Sequence, residues 1–143
     1  MKALNRVFIE FPSKSVNEGF ARTGVAIFAA QLDPTVEELN DIKTAVSEAV
    51  TNCIVHAYPN TIGKIRIAVA VLEGGYLEII VRDRGIGIEN IEQAQEPLFT
   101  TGGEERSGMG FTIMESFMSK MKVRSKPGRG TTVRMVKYIE KRV

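Results

Sequence analysis

The stretch Leu77-Glu78-Ile79-Ile80-Val81-Arg82-Asp83-Arg84-Gly85-Ile86-Gly87 puts a carboxylate at the end of an apolar strand and two glycines just behind it. Leu77, Ile79 and Val81 alternate and Asp83 shares their face, so the carboxylate enters the buried layer where the strand stops. A carboxylate in such a place needs a hydrogen-bonding partner, and an amino group on a ligand would serve. Adenine offers that donor beside a ring-nitrogen acceptor, whereas guanine carries a carbonyl there, so Asp83 suits the recognition of adenine. Gly85 and Gly87 let the backbone approach a ligand closely or take positive φ. A plain Asp-Gly turn at a strand end reads the same residues without any ligand.

Upstream, Ile65, Ile67, Val69 and Val71 alternate in a preceding strand, and Glu73-Gly74-Gly75 reads as the tight connection between the two. Before them Thr35, with Glu38 three residues on, predicts a capping box for a helix reaching about His56, with Ile42, Ala45, Val46, Ala49, Cys53 and Ile54 as its apolar stripe. On the adjoining face Glu48 and Asn52 lie one turn apart. The Asn52 carbonyl oxygen suits Mg²⁺, a hard ion that takes oxygen ligands and phosphates, and Glu48 is placed to accept a proton or orient a water. A solvated helix face accounts for the same pair. His56 either hydrogen-bonds near phosphates or finishes the helix, and a supporting role is expected. Val7, Ile9 and Phe11 alternate in an opening strand that Pro12 ends. From Val16 to about Leu32, Phe20, Gly24, Ile27, Phe28 and Leu32 recur at helical spacing, with Glu18 and Arg22 on the exposed side.

Downstream, residues from Glu89 to about Glu105 show poor periodicity, which predicts a short helix and then a mobile loop. The loop ends in Arg106-Ser107-Gly108-Met109-Gly110, where two glycines open a helix beginning near Phe111. Free N–H groups and the positive helix end at that point suit phosphate oxygens, with Arg106 and Ser107 adding a charged fork and a hydroxyl. A flexible loop with an N-capping serine is the alternative. Phe111, Met114, Phe117, Met118 and Met121 then form an apolar stripe expected to be core. Val123-Arg124-Ser125 and Thr131 to Ile139 make a last hairpin around Lys126-Pro127-Gly128-Arg129-Gly130. Strands joined by short hairpins and amphipathic helices needing burial predict an α/β sandwich of the α+β kind: a mixed, mostly antiparallel sheet with helices on one face.

A chain of 143 residues suits one domain over 1–143, burying about 68–70% of its unfolded surface. The 19 basic and 17 acidic side chains are scattered, so there is no basic stripe for nucleic acid. The single cysteine, Cys53, cannot pair internally, which suits a reducing compartment, and it is read as a small buried hydrophobe. No run approaches the roughly 20 apolar residues of a membrane span, so a cytoplasmic protein without membrane association is expected. P-loop lysine, cysteine metal-binding and serine–histidine nucleophile patterns are absent from the sequence.

Glu48-x-x-x-Asn52, Asp83-x-Gly85-x-Gly87, Gly108-x-Gly110 and Gly130-Thr131 resemble the four nucleotide boxes of gyrase-type, chaperone-type, histidine-kinase and MutL-type (GHKL) ATPases, which implies the Bergerat fold. Ser47-Glu48-Ala49-Val50-Thr51-Asn52, Pro97-Leu98-Phe99-Thr100-Thr101 and Arg106 to Met114 are more narrowly similar to the anti-sigma-F factors of spore-forming bacteria, which are serine kinases. The likeness covers nearly the whole chain. It implies a homodimer binding ATP or ADP with Mg²⁺, which holds sporulation sigma factor F inactive and phosphorylates a serine of an anti-anti-sigma partner of the STAS type. It implies roles as well: Glu48 as catalytic base, Asn52 as the Mg²⁺ ligand, Asp83 as the adenine contact and Arg106 as a lid residue near the γ-phosphate. Nucleotide contacts extend by the same likeness to His56, Gly85, Gly87, Thr101, Ser107, Gly108, Met109, Gly110, Phe111 and Thr131. Glu18 and Arg22 fall in a segment resembling the helix that carries partner contacts, and a structural salt bridge is their other reading. Two departures stand out: Gly102-Gly103 follow the paired threonines where a lysine or other polar residue is common, and Cys53 replaces a smaller residue, an exchange expected to affect packing alone. Competing readings are a nucleotide-shaped binding module without kinase activity, a detached histidine-kinase ATPase domain, and an anti-sigma kinase for a different sigma factor.

Overall fold

A computed structural model describes residues 1–88 and 110–140. The elements are β1 (Ala3–Pro12), α1 (Asn17–Ala29, continued by a 3₁₀ turn to Leu32), α2 (Val36–Asn52, continued by a π-helical turn Cys53–Ala57), β2 (Lys64–Leu72), β3 (Tyr76–Asp83), α3 (Gly110–Phe117), β4 (Lys120–Lys126) and β5 (Gly130–Tyr138). The strands form one sheet in the order β1-β2-β3-β5-β4. Each described pairing is antiparallel, which sharpens the expectation of a mostly antiparallel sheet. Among the described residues no helix is long and apolar enough to cross a membrane.

Hairpins and caps appear where local chemistry asks for them. Gly74 and Gly75 take φ of 90° and 88° between β2 and β3, a left-handed geometry that costs glycine little. At the start of α2 the Thr35 hydroxyl accepts from the Glu38 amide at 3.0 Å while the Thr35 amide donates to the Glu38 carboxylate at 2.8 Å, the reciprocal capping box. Lys137 Nζ donates to the Phe117 carbonyl at 2.6 Å and lies 3.6 Å from Asp41. One cation thereby caps the carbonyl end of α3 and ties it to α2.

The core lies between the helices and one face of the sheet. Ile65, Ile67 and Val69 of β2, Leu77, Ile79 and Val81 of β3, and Val133 and Met135 of β5 face Ile42, Val46, Ala49 and Val50 of α2 and Met114 of α3. Ile67 stands opposite Val81, and Val81 opposite Val133, so one register row crosses three strands on the buried side. Full burial of each large aliphatic side chain contributes about 1.5–3 kcal/mol. On the other face Glu78 is buried between Arg134 at 2.7 Å and Arg6 at 3.5 Å, while Arg66 stacks over the Phe8 ring at 4.4 Å.

Three local expectations change. In α1 the buried residues are Ala21, Val25, Ala26 and Ala29, whereas Phe20 is 62% and Ile27 is 70% exposed. Small side chains win this face because α1 lies close to the sheet: a Cβ on Gly24 would sit 3.3 Å from Ile9 Cδ1. The Met and Phe stripe outlasts its helix, since α3 ends at Phe117 and Met121 packs from β4. The last turn of α2 widens to π geometry at Cys53, with the Tyr58 amide bonded back to the Cys53 carbonyl at 3.1 Å.

Candidate functional site

Asp83 ends β3 on the buried face and is 6% exposed. Its Oδ1 accepts from the Gly85 amide at 2.9 Å and the Thr131 amide at 3.2 Å, and its Oδ2 lies 3.4 Å from Cys53 Sγ. Burial raises the carboxyl above the ordinary aspartate range, and the Gly85, Cys53 and Thr131 donors pull it back. Burial also pushes the Cys53 thiol well up, and the neighbouring Asp83 charge adds to this. The thiol therefore stays protonated and acts toward Asp83 as a donor.

The glycines around Asp83 first serve the chain itself. A Cβ on Gly85 would overlap the Ala57 carbonyl, and one on Gly130, at φ 97°, would overlap the Asp83 carbonyl. Gly87 takes the positive φ expected of it, 78°, and presses against the Lys126 backbone. The Ile86 amide donates to the Ala57 carbonyl at 3.1 Å and the Gly128 amide to the Ile86 carbonyl at 2.7 Å. Close approach at Gly85 is thus made to the π turn of α2, a contact between two parts of the chain. Tyr58 locks the same corner, its hydroxyl accepting from the Arg84 amide at 2.7 Å and donating to the Lys64 carbonyl at 2.8 Å. Ser125 Oγ lies 2.8 Å from Thr131 Oγ1 and accepts from the Ile88 amide at 2.8 Å.

A second cluster forms where α3 begins. A Cβ on Gly110 would lie 3.1 Å from Asn52 Nδ2, 3.2 Å from Asn52 Oδ1 and 3.3 Å from Glu48 Oε2. Glu48, Asn52 and the N-terminus of α3 therefore share one spot, all partly solvent-accessible, and a helix N-terminus favours anions. His56 sits half-buried in the π turn, one turn past Asn52. Phe111 packs its ring against the core from the first turn of α3. Glu18 bonds Arg22 at 2.6 Å and also accepts from the Ser47 hydroxyl, which links α1 to the residue beside Glu48. Thr101, Arg106, Ser107, Gly108 and Met109, and the expected short helix, mobile loop and Gly102-Gly103, lie outside the described residues.

Sequence reasoning assigned Cys53 to packing alone, yet its sulfur touches the Asp83 carboxylate. Tyr58, Ala57 and Ser125 carried no signal, because each acts through a contact with a segment far along the chain.

Residues 11–137 match the histidine kinase-like ATPase domain family. A Thermoanaerobacter anti-sigma F factor is 61% identical over 140 residues, covering 97% of each chain. The chain belongs to the anti-sigma F factor family. The Clostridium acetobutylicum anti-sigma F factor is 57% identical over 93% of each chain, and that of Geobacillus thermodenitrificans 54% over 96% of this chain and 94% of the relative. Among solved structures, the RsbU and RsbW domains of a Mycobacterium tuberculosis protein superpose with a TM-score of 0.68 at 19% identity, covering 94% of this chain and 32% of that one. At that identity the likeness speaks for the fold alone. The fold is thus that of the histidine kinase-like, or GHKL, ATPase domains.

Proposed function

We propose that this anti-sigma F family member, acting as one kinase domain over residues 1–143, is an ATP-dependent protein-serine kinase that binds and inhibits sporulation sigma factor F. Its phosphoryl acceptor is a serine on a STAS-domain anti-anti-sigma factor, and it works in the cytoplasm as a homodimer. The observation that carries the kinase reading is the convergence of Glu48 and Asn52 on the Gly110 backbone where α3 begins. The regulatory reading rests on relatives at 54–61% identity that are named anti-sigma F factor.

The residues present fit Mg-ATP. Asp83 offers a buried carboxylate oxygen at the sheet end for an exocyclic amino group, with Gly85, Gly87 and Thr131 framing that corner. Asn52 supplies a neutral oxygen for Mg²⁺, whose remaining positions suit water and phosphate oxygens. Among the described residues no cluster of three or more His, Cys, Asp or Glu could hold a metal by itself, so such an ion would be shared with phosphates. Gly110 and Phe111 bring the amides of α3 to the phosphate end, with Gly108, Met109, Ser107 and Thr101 on the segment leading there and His56 in support. Bound Mg-ATP would supply the phosphoryl group and neutralise its charge. Glu48 accepts the proton of the attacking serine hydroxyl, and Arg106 offsets charge at the terminal phosphate. Glu18 and Arg22 form the partner-facing edge of α1.

The test is incubation with γ-labelled ATP, Mg²⁺ and a STAS-domain partner. Label on a partner serine supports the kinase, and label absent from the partner although nucleotide binds would leave only a nucleotide-shaped binding module. A pull-down against sigma factor F and a stress-response sigma factor separates the regulatory targets.

A further inference from the structure

The Asp83 carboxylate is divided between two kinds of donor. An ionised carboxylate has about four lone-pair sites. Two of them, on Oδ1, are taken by the backbone amides of Gly85 and Thr131 at 2.9 and 3.2 Å. Oδ2 receives the Cys53 thiol at 3.4 Å, the donor to that oxygen among the described residues. Of the titratable groups nearby, Tyr58 spends its hydroxyl on the Arg84 amide and the Lys64 carbonyl, and the Arg84 side chain is exposed. Among the described residues one lone pair of Oδ2 therefore remains for a ligand, and its direction is set by where the thiol sits.

We propose that Cys53 is a positioning residue for base recognition: by donating to Asp83 Oδ2 it orients the remaining lone pair toward the 6-amino group of an adenine nucleotide and sharpens selection for that group. The inference rests on the nucleotide reading of this site and deepens it. Cys53 follows Asn52 directly and opens the π turn, so one turn of helix serves both the base end and the phosphate end of the pocket. A protonated thiol suits the task, because a weak donor holds the carboxylate in place without satisfying it.

Alanine and serine leave nearly the same volume at position 53, so they separate donation from packing. The full-length protein and its Cys53→Ala and Cys53→Ser variants are titrated with ADP and with purine riboside 5′-diphosphate, which lacks only the amino group. The unmodified protein is expected to prefer ADP, Cys53→Ala to lose about fivefold of that preference, and Cys53→Ser to recover it. An unchanged preference in Cys53→Ala, or an equal loss in Cys53→Ser, overturns the inference while leaving nucleotide binding standing. Failure of the unmodified protein to bind either nucleotide overturns the nucleotide reading and the inference with it. A second measurement needs no variant. With one cysteine in the chain, its Raman S–H band is unique, and it is expected at the lowered frequency of a hydrogen-bonded thiol, shifting on ADP but not on the purine riboside analogue. A band at the free-thiol position, or one that both ligands move alike, overturns the assignment.

Discussion

Asp83 carries opposing demands. Burial holds its carboxyl above the usual aspartate range despite the donors of Gly85, Cys53 and Thr131, so folding costs the ionised form more than the protonated one. Its stabilising contribution is fully present below the unfolded value and is lost as pH rises through the raised folded value. Asp83→Asn removes that titration. The melting temperature of the unliganded variant should gain on the wild type across that pH window and hold a constant lead above it, while ADP affinity falls about tenfold or more from loss of a charged acceptor. Melting curves against pH and a nucleotide titration check the two halves. Glu48 makes the opposite kind of prediction. Glu48→Gln keeps the shape beside Gly110 and removes proton acceptance, so phosphotransfer should drop about 10²-fold or more with ATP and sigma factor binding little changed. Unchanged transfer to the STAS partner would take Glu48 out of the mechanism.

Helix α2 does three things along its length: it is capped by Thr35 and Glu38, it packs between α1 and α3, and it widens at Cys53. A π turn often marks a functional site, and here it brings the Ala57 carbonyl against Gly85 and Ile86. Thr35→Ala should cost about 1 kcal/mol of stability in a denaturant titration, because the capping box loses its hydroxyl, with no effect on nucleotide affinity. Gly110→Ala separates stability from function in the other direction. Alanine favours a helix over glycine by about 1 kcal/mol, but its Cβ would crowd Asn52 and Glu48 at 3.1–3.3 Å. The variant should melt no lower than the wild type while transferring phosphate more slowly. A lower melting temperature would show that the crowding is borne by the fold instead of by the two side chains.

Across the molecule, the helices cover one face of the sheet, and the other face carries the Arg6–Glu78–Arg134 set and the Phe8–Arg66 stack. β1 is an edge strand, and its Leu4 and Phe8 are 64% and 56% exposed. An apolar edge invites pairing with a second chain, and lysine blunts it. If the proposed homodimer uses this edge, Leu4→Lys with Phe8→Lys should raise its dissociation constant about tenfold or more in sedimentation. Leu4→Lys, at an exposed site, should change the stability of the subunit by no more than about 0.5 kcal/mol, whereas Phe8→Lys also loses the stack with Arg66 and should cost about 0.5–1 kcal/mol.

Much of this was legible along the chain. Period-two runs marked β1, β2 and β3, Thr35 and Glu38 marked the start of α2, Gly74-Gly75 marked a hairpin, and Asp83, Glu48 and Asn52 stood out by residue type and spacing. Those signals are local, because periodicity, caps and turns are properties of a few neighbouring residues. The face that α1 buries was not legible: Phe20 and Ile27 are the larger apolar side chains, but Ala21, Val25 and Ala29 allow the close approach, and only the partner surface can choose between them. Nor could Cys53 be read as more than packing. Its sulfur meets Asp83 across 30 residues of chain, and Thr131 reaches the same carboxylate across 48, so their roles arise only when the folded sheet and the turn of α2 are laid against each other.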